Sequence, residues 1–170
     1  MAIIRVSDYK LELLRDIVGA PEIVDGIDSR SGGVVPGEPE SLIYRNVFPY
    51  LRIPDTQNKA DCYIMLAVDI TGINGHNPTY ASYLTSIWVL AHQERMRMEG
   101  RNGTRIDFLA ERVKELFDGK QKFGFSAFEL SSSREVILNE KYQYRELRFK
   151  CFDQRRPVGG AGRRGESYDG

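Results

Sequence analysis

The chain has 170 residues, of which 41% are hydrophobic and 28% are charged. This composition is typical of one globular domain and unlike that of a disordered chain. The 24 Lys and Arg residues balance the 24 Asp and Glu residues, so no overall basic field would hold the molecule on a phosphate backbone. Composition and charge therefore argue against a general nucleic-acid-binding protein.

The apolar runs and cysteines indicate a protein that folds in the cytoplasm. The longest apolar runs, 64–68 and 87–91, are too short to span a bilayer, and residues 1–9 contain no hydrophobic signal region. The two cysteines, Cys62 and Cys151, lie in strand-like runs and are interpreted as core residues rather than as a disulfide.

The N-terminal part predicts a short amphipathic helix followed by a long loop. Ser7 is a good N-cap residue before an apolar stripe with helical spacing that extends to Val18, and Gly19 and Pro21 indicate the end of this helix. Residues 25–40 contain four glycines and two prolines, a density of helix and strand breakers that predicts a long mobile loop.

The middle of the chain predicts three strands. Residues 44–53 are strand-like, but Pro49 removes a backbone donor and places this segment at a sheet edge or a bulge. Residues 62–70 are apolar on both faces until Asp69, which indicates a central strand, and a turn at 72–78 connects them to a strand at 83–92. The polar stretch 93–103 is predicted to be a second loop.

The C-terminal part predicts a helix and an antiparallel meander. Thr104 and Asp107 resemble a capping box, an apolar stripe with helical spacing follows, and Gly119 ends the helix. Two strands, 123–130 and 135–138, are predicted to flank a turn at 131–134, and 142–152 reads as a last long strand.

These elements predict an α+β fold in which two helices pack on one face of a twisted, mainly antiparallel sheet. We predict one domain over residues 1–153. Residues 154–170 are rich in Gly and Arg and lack apolar periodicity, so they are predicted to form a flexible, disordered tail.

The sequence contains no motif that indicates an enzyme, a cofactor or a metal site. His76 and His92 lack a second histidine at metal-ligand spacing, and no glycine-rich phosphate loop or nucleophile elbow is present. A small metal-dependent nuclease or hydrolase using Asp55, or Asp69 with Glu94, is the alternative, because Mg²⁺ needs only one or two carboxylates. Solvated surface carboxylates explain these residues better. We therefore predict no catalytic residues, no cofactor and no bound metal.

The order of elements resembles that of the tail-terminator or tail-completion proteins of long-tailed bacteriophages. The similarity covers residues 40–152, and it is carried by the strand sequences PYLRI at 49–53 and VDI at 68–70 and by the passage IWVLAHQERMRMEGRNGTRIDFLAERVKELF at 87–117. The loop at 25–40 and the tail after Gln154 have no counterpart in that family.

The resemblance implies a virion protein, made in the host cytoplasm, that assembles as a ring of about six subunits. Such a ring stops tail-tube growth and contacts the tube protein and the head connector. A neck or head-closure connector of the same junction is the alternative. Neither a membrane nor a specific nucleic-acid sequence is an expected partner, and the sequence leaves open whether DNA passes through the ring.

The predicted contact residues fall into three groups. The last strand is predicted to be a sheet edge, and edges invite pairing with another subunit. The predicted residues are Tyr144, Leu147 and Phe149 for contacts between subunits, Arg95, Arg97 and Arg101 for axial contacts, and Arg155 and Arg156 in the tail.

Deletion of all residues after Asp153 is expected to leave the fold intact, because the tail cannot bury enough apolar surface to offset its ordering entropy. The midpoint of thermal unfolding, followed by circular dichroism, should change by less than about 3 °C. A truncated chain that fails to fold would show that the tail is part of the core.

Overall fold

A computed structural model of the chain describes residues 5–27, 38–52, 54, 60–73, 80–121 and 126–154. The helices are α1 (Val6–Val18), α2 (Pro21–Ile27) and α3 (Arg105–Phe117), with 3-10 turns at Pro39–Leu42 and Gln93–Arg95. The strands are β1 (Val47–Phe48), β2 (Cys62–Ile73), β3 (Tyr80–His92), β4 (Glu129–Ile137) and β5 (Tyr142–Gln154). The fold is α+β, as the sequence predicted.

The five strands form one sheet in the order β1-β2-β3-β5-β4. All neighbours are antiparallel except β1, which runs parallel to β2 through the pairs Val47↔Ile64 and Phe48↔Met65. The predicted edge position of the segment 44–53 is confirmed, but among its described residues only Val47–Phe48 form a strand. Cys62 and Cys151 are both buried and are not joined in a disulfide.

The prediction that the last strand forms a sheet edge was wrong. β5 lies between β3 and β4, and it pairs with β3 over its whole length, from Tyr142 opposite His92 to Gln154 opposite Tyr80. The long antiparallel pairing with β3 covers one side of β5, and β4 covers the other. The turn predicted at 131–134 was also wrong, because these residues lie inside β4. The turn comes later, where the Asn139 side-chain oxygen accepts hydrogen bonds from the backbone of Lys141 and Tyr142 at 2.9 and 2.8 Å.

The predicted loop at 25–40 was too long, and one helix was missed. Residues 25–27 belong to α2, which begins at Pro21, where the missing N–H costs nothing because the first helical N–H groups have no partner in the helix. Gly26 lies where α2 crosses α3, and a Cβ at this position would come within 2.6 Å of Leu109 Cδ2. The glycine thus permits a close helix contact. Residues 28–37 lie outside the described residues, and Pro39–Leu42 forms a 3-10 turn.

All three helices pack on the same face of the sheet. Their buried side chains join alternate residues of β2, β3 and β5 in the main core, including Leu66, Ile87 and Leu147. Phe117, Phe128 and Phe149 fill the space between α3 and the sheet, with ring centroids 6.0–6.1 Å apart. The core therefore occupies one side of the sheet.

The two predicted helix caps have different outcomes. Thr104 caps α3, since its hydroxyl accepts from the Asp107 backbone at 3.3 Å and donates to the Asp107 carboxylate at 2.7 Å. The helix ends before Gly119, which has φ +73°. Ser7, in contrast, lies inside α1; the N-cap residue is Arg5, which makes no capping hydrogen bond.

Thr104→Ala is expected to lower the free energy of unfolding by about 1 kcal/mol, because the Asp107 N–H loses its acceptor. Ser7→Ala serves as the control and should change it by less than about 0.5 kcal/mol, since its hydroxyl does not cap α1. Urea unfolding monitored by circular dichroism measures both. Equal losses in the two variants would contradict this assignment of caps.

Candidate functional site on the open face of the sheet

The face of the sheet opposite the helices carries a mixed aromatic and charged surface, here called the open face. Within the described part of the chain, no helix packs on it. Strand registers bring its side chains into rows across β2, β3, β5 and β4. The principal residues are Tyr63, Met65, Trp88, Leu90, Arg134, Tyr144, Glu146, Arg148 and Lys150.

An apolar cluster occupies the open face near β1. Phe48, Met65 and Leu90 are buried, and Tyr63, Trp88 and Tyr144 pack around them with partial exposure. The segment after β1 folds over the edge of this cluster, where the Arg52 backbone N–H donates to Met65 Sδ at 3.2 Å. A second, smaller core therefore begins on this side of the sheet, and part of its aromatic surface stays exposed.

A buried carboxylate lies beside this cluster. Glu146 is only 3% exposed, and it binds Arg134 at 2.8 Å and Arg148 at 3.1 Å. Burial by itself would raise the pKa of Glu146, but the hydrogen bonds and charges of the two guanidinium groups outweigh burial and hold the pKa below its ordinary value. The carboxylate stays ionised and positions two partly exposed arginines.

Two tyrosines and Asp61 form a polar group at the end of the face next to His92. Burial raises the pKa of Tyr63, and the neighbouring Tyr142 and Asp61 raise it further. The pKa of Tyr142 is also raised, mainly by burial, although hydrogen bonds from the Asp61 backbone and Tyr63 oppose this effect. Both phenols stay protonated at neutral pH, which suits a structural role better than proton transfer.

The three contact candidates of the last strand lie on different faces of the sheet. Tyr144 lies on the open face. Leu147 and Phe149 are 2% and 0% exposed and belong to the main core, because odd-numbered residues of β5 point toward the helices. Both are core residues, and neither side chain is exposed enough to contact another chain.

The predicted axial arginines also differ in placement. Arg95 is 7% exposed and donates to the Ala60 carbonyl at 3.4 Å, so it holds the loop at 93–103 against the body. Arg97 is exposed and lines, with Arg95 and acidic residues of the loop, a groove of about 560 Å³. Arg101 is exposed and stacks over the Phe108 ring at 4.2 Å. Arg155 and Arg156 lie outside the described residues.

The sheet edges that remain are poorly suited to pairing. β4 has a bulge between Leu130 and Ser132, and its sequence contains three consecutive serines followed by Arg134 and Glu135. β2 extends well beyond its two pairs with β1, but it carries Asp69 and a second bulge between Ile70 and Gly72. Bulges and charges of this kind protect an edge from adding another strand. The open face is the better candidate for contact with a partner.

Of the carboxylates of the alternative nuclease hypothesis, Asp69 and Glu94 lie far apart, because Asp69 pairs with Leu84 near the start of β3 and Glu94 follows the end of that strand. Asp55 lies outside the described residues, and in the part of the chain that is described no three His, Cys, Asp or Glu side chains form a group that could hold a metal ion. None of the described helices is long and apolar enough to cross a membrane.

Sequence reasoning found Tyr144 but missed the residues that surround it. Trp88, Arg134 and Arg148 come from three strands, and only the strand order β3-β5-β4 places them side by side. A local signal existed in the alternation of β5, where Tyr142, Tyr144, Glu146, Arg148 and Lys150 share one face. That pattern indicates a polar face but does not identify its neighbours.

Glu146→Gln is expected to lower the free energy of unfolding at pH 7 by about 1–3 kcal/mol, because two arginines lose a buried ionic partner. Since the folded-state pKa lies below the unfolded value of about 4.3, the ionised carboxylate stabilises the fold above that pH. This stabilisation is lost as the pH falls through the folded-state pKa.

Urea unfolding between pH 3 and pH 7 tests this prediction. The free energies of unfolding of the wild-type protein and of Glu146→Gln should become similar as the pH approaches 3. Glu135→Gln is the matched control, since its carboxylate is about half exposed and contacts Arg145 at 3.2 Å; its effect should be below about 1 kcal/mol at every pH. If Glu146→Gln lowers the free energy of unfolding by the same amount at every pH, the ionic role of Glu146 is contradicted.

Comparison with known proteins gives a family for this chain. No curated protein matches it significantly. Residues 23–151, well over half of the 170 residues, match the YomW family. The matched region begins inside α2 and ends at residue 151 in β5, so it includes β1 to β4, most of β5 and the central part of the open face. The chain belongs to the YomW family, a phage-associated protein family.

Proposed function

We propose that this protein is a structural subunit of a phage head-to-tail junction. In this proposal it is a tail terminator: about six copies form a ring that caps the tail tube and docks to the head connector. Membership of a phage-associated family supports the viral context. The order of the strands and helices, which resembles that of tail terminators, supports the more specific role.

The open face is the observation that carries the proposal. Aromatic residues and arginine are enriched in the centres of protein interfaces, and this face combines Trp88, Tyr144, Arg134 and Arg148. Four strands about 4.8 Å apart and a length of about ten residues give it an area of roughly 600 Å². A specific interface should bury more than about 1,000 Å² in total, and two surfaces of roughly this area reach that value.

The charged groups around this face support a structural role rather than catalysis. Glu146 is engaged by two arginines, and on the helical side Arg145 binds both Asp107 and Glu135. A general acid or base needs access to a substrate and a pKa suited to proton transfer. We propose that these carboxylates order the sheet surface.

Deletion of the gene from its phage or prophage is expected to produce tail tubes of excessive and variable length that do not join heads. The physical reason is that nothing would then stop polymerisation of the tube. Electron microscopy of the lysate measures tube length, and a copy of the gene supplied in trans is the control. Tails of normal length beside heads that have lost their DNA would instead identify a head-closure connector.

A further inference from the structure

We propose that the open face of one copy binds the outer surface of α1 and α2 of the next copy, in a head-to-tail contact. This inference rests on the proposed ring and names the surfaces that form it. It differs from pairing of sheet edges, because the sheet of each copy would be covered by the helices of its neighbour.

Charge complementarity is the first reason. The β4 and β5 part of the open face carries Arg134, Arg148 and Lys150 against Glu129 and Glu146, a net charge of +1. The helices α1 and α2 carry five acidic and two basic residues, a net charge of −3. The acidic residues are Asp8, Glu12, Asp16, Glu22 and Asp25. Opposite potentials of this kind steer association and fix its orientation.

Exposed apolar groups on the helical surface are the second reason. Val6 and Leu11 of α1 are 37% and 40% exposed. At helical spacing Leu11 has Asp8 one turn before it and Arg15 one turn after it. An apolar residue between an acidic and a basic one suits the open face, where Trp88 and Tyr144 lie beside two arginines and Glu146. Aliphatic side chains between aromatic rings supply the apolar part of such a contact.

The position of the two surfaces is the third reason. All three helices cover the core side of the sheet, so the outer surface of α1 and α2 and the open face lie on opposite sides of the chain. A contact between two different surfaces of identical chains is heterologous, and it closes into a ring when the rotation between copies is suitable. Two complementary surfaces on opposite sides let the contact repeat from copy to copy, and a rotation of roughly 60° at each contact would close six copies into a ring.

Chemical crosslinking tests which surfaces meet. Ser7→Cys places a thiol on the exposed side of α1, and Ser132→Cys places one on the open face; the native Cys62 and Cys151 are buried. A short bismaleimide should link a mixture of the two variants into dimers but should not link either variant alone. Ser7→Cys mixed with Lys120→Cys is the control. Links within Ser132→Cys alone would show face-to-face pairing and overturn the proposal.

Charge reversal tests the electrostatic part. Lys150→Glu should raise the dissociation constant between copies on the order of tenfold, whereas Lys120→Glu, the same change at an exposed residue after α3, should leave it unchanged. Adding Glu12→Lys to Lys150→Glu should recover part of the loss, since the two patches again have opposite charge. Native mass spectrometry over a range of concentrations measures the ring fraction.

The outcomes separate this inference from the proposed function. Rings that persist in Lys150→Glu, together with no link between Ser7→Cys and Ser132→Cys, would overturn the inference and leave the ring intact. Wild-type protein that stays monomeric alone and with tail tubes would overturn both. Binding of a fluorescent single-stranded oligonucleotide that is lost in Lys150→Glu while rings persist would show that the face binds nucleic acid instead.

Discussion

The register of β5 between β3 and β4 determines both the core and the exposed surface of this protein. Side chains of a strand alternate between the two faces of its sheet, so a shift of one residue would exchange the faces completely. In the observed register Leu147, Phe149 and Cys151 enter the core beneath the helices, whereas Tyr144, Glu146 and Arg148 lie on the open face. A shifted strand would bury Glu146 and Arg148 against Phe117 and expose Phe149, which would cost several kcal/mol.

This register also explains why a carboxylate is buried on a face that no described helix covers. Glu146 lies opposite Trp88 on β3 and Arg134 on β4, and Arg148 follows it on the same face of β5. The large neighbouring side chains exclude water from the carboxylate, and the two arginines supply the counter-charge. Removing either arginine would leave a charge with poor solvation. Two guanidinium groups are thereby held in fixed positions before any partner binds.

The sequence predicted elements with strong local signals and failed where the decisive information was non-local. α3 was predicted correctly because Thr104, its apolar stripe and Gly119 all act within one segment. α2 was missed because Pro21 and Gly26 usually interrupt helices, and only the contact of Gly26 with Leu109 shows why the glycine is suitable there. The serines of β4 suggested a turn, although an edge strand tolerates them. The set of side chains that meet on the open face depends on the order of the strands. The alternation of residues within one strand gives no information about that order.

A single helix connects the interior of the chain to its proposed outer contact. Tyr9 of α1 points inward, where its hydroxyl lies 3.2 Å from Thr85 Oγ1 and 3.3 Å from Cys151 Sγ, and so fixes α1 to β3 and β5. Leu11 and Glu12 project outward from the same helix. Because those two strands also carry Trp88 and Arg148 on their other face, the two proposed contact surfaces are joined through a few directly packed residues. The most buried part of the fold thus determines the relative orientation of the two surfaces. That orientation sets the rotation between copies and therefore whether a ring closes.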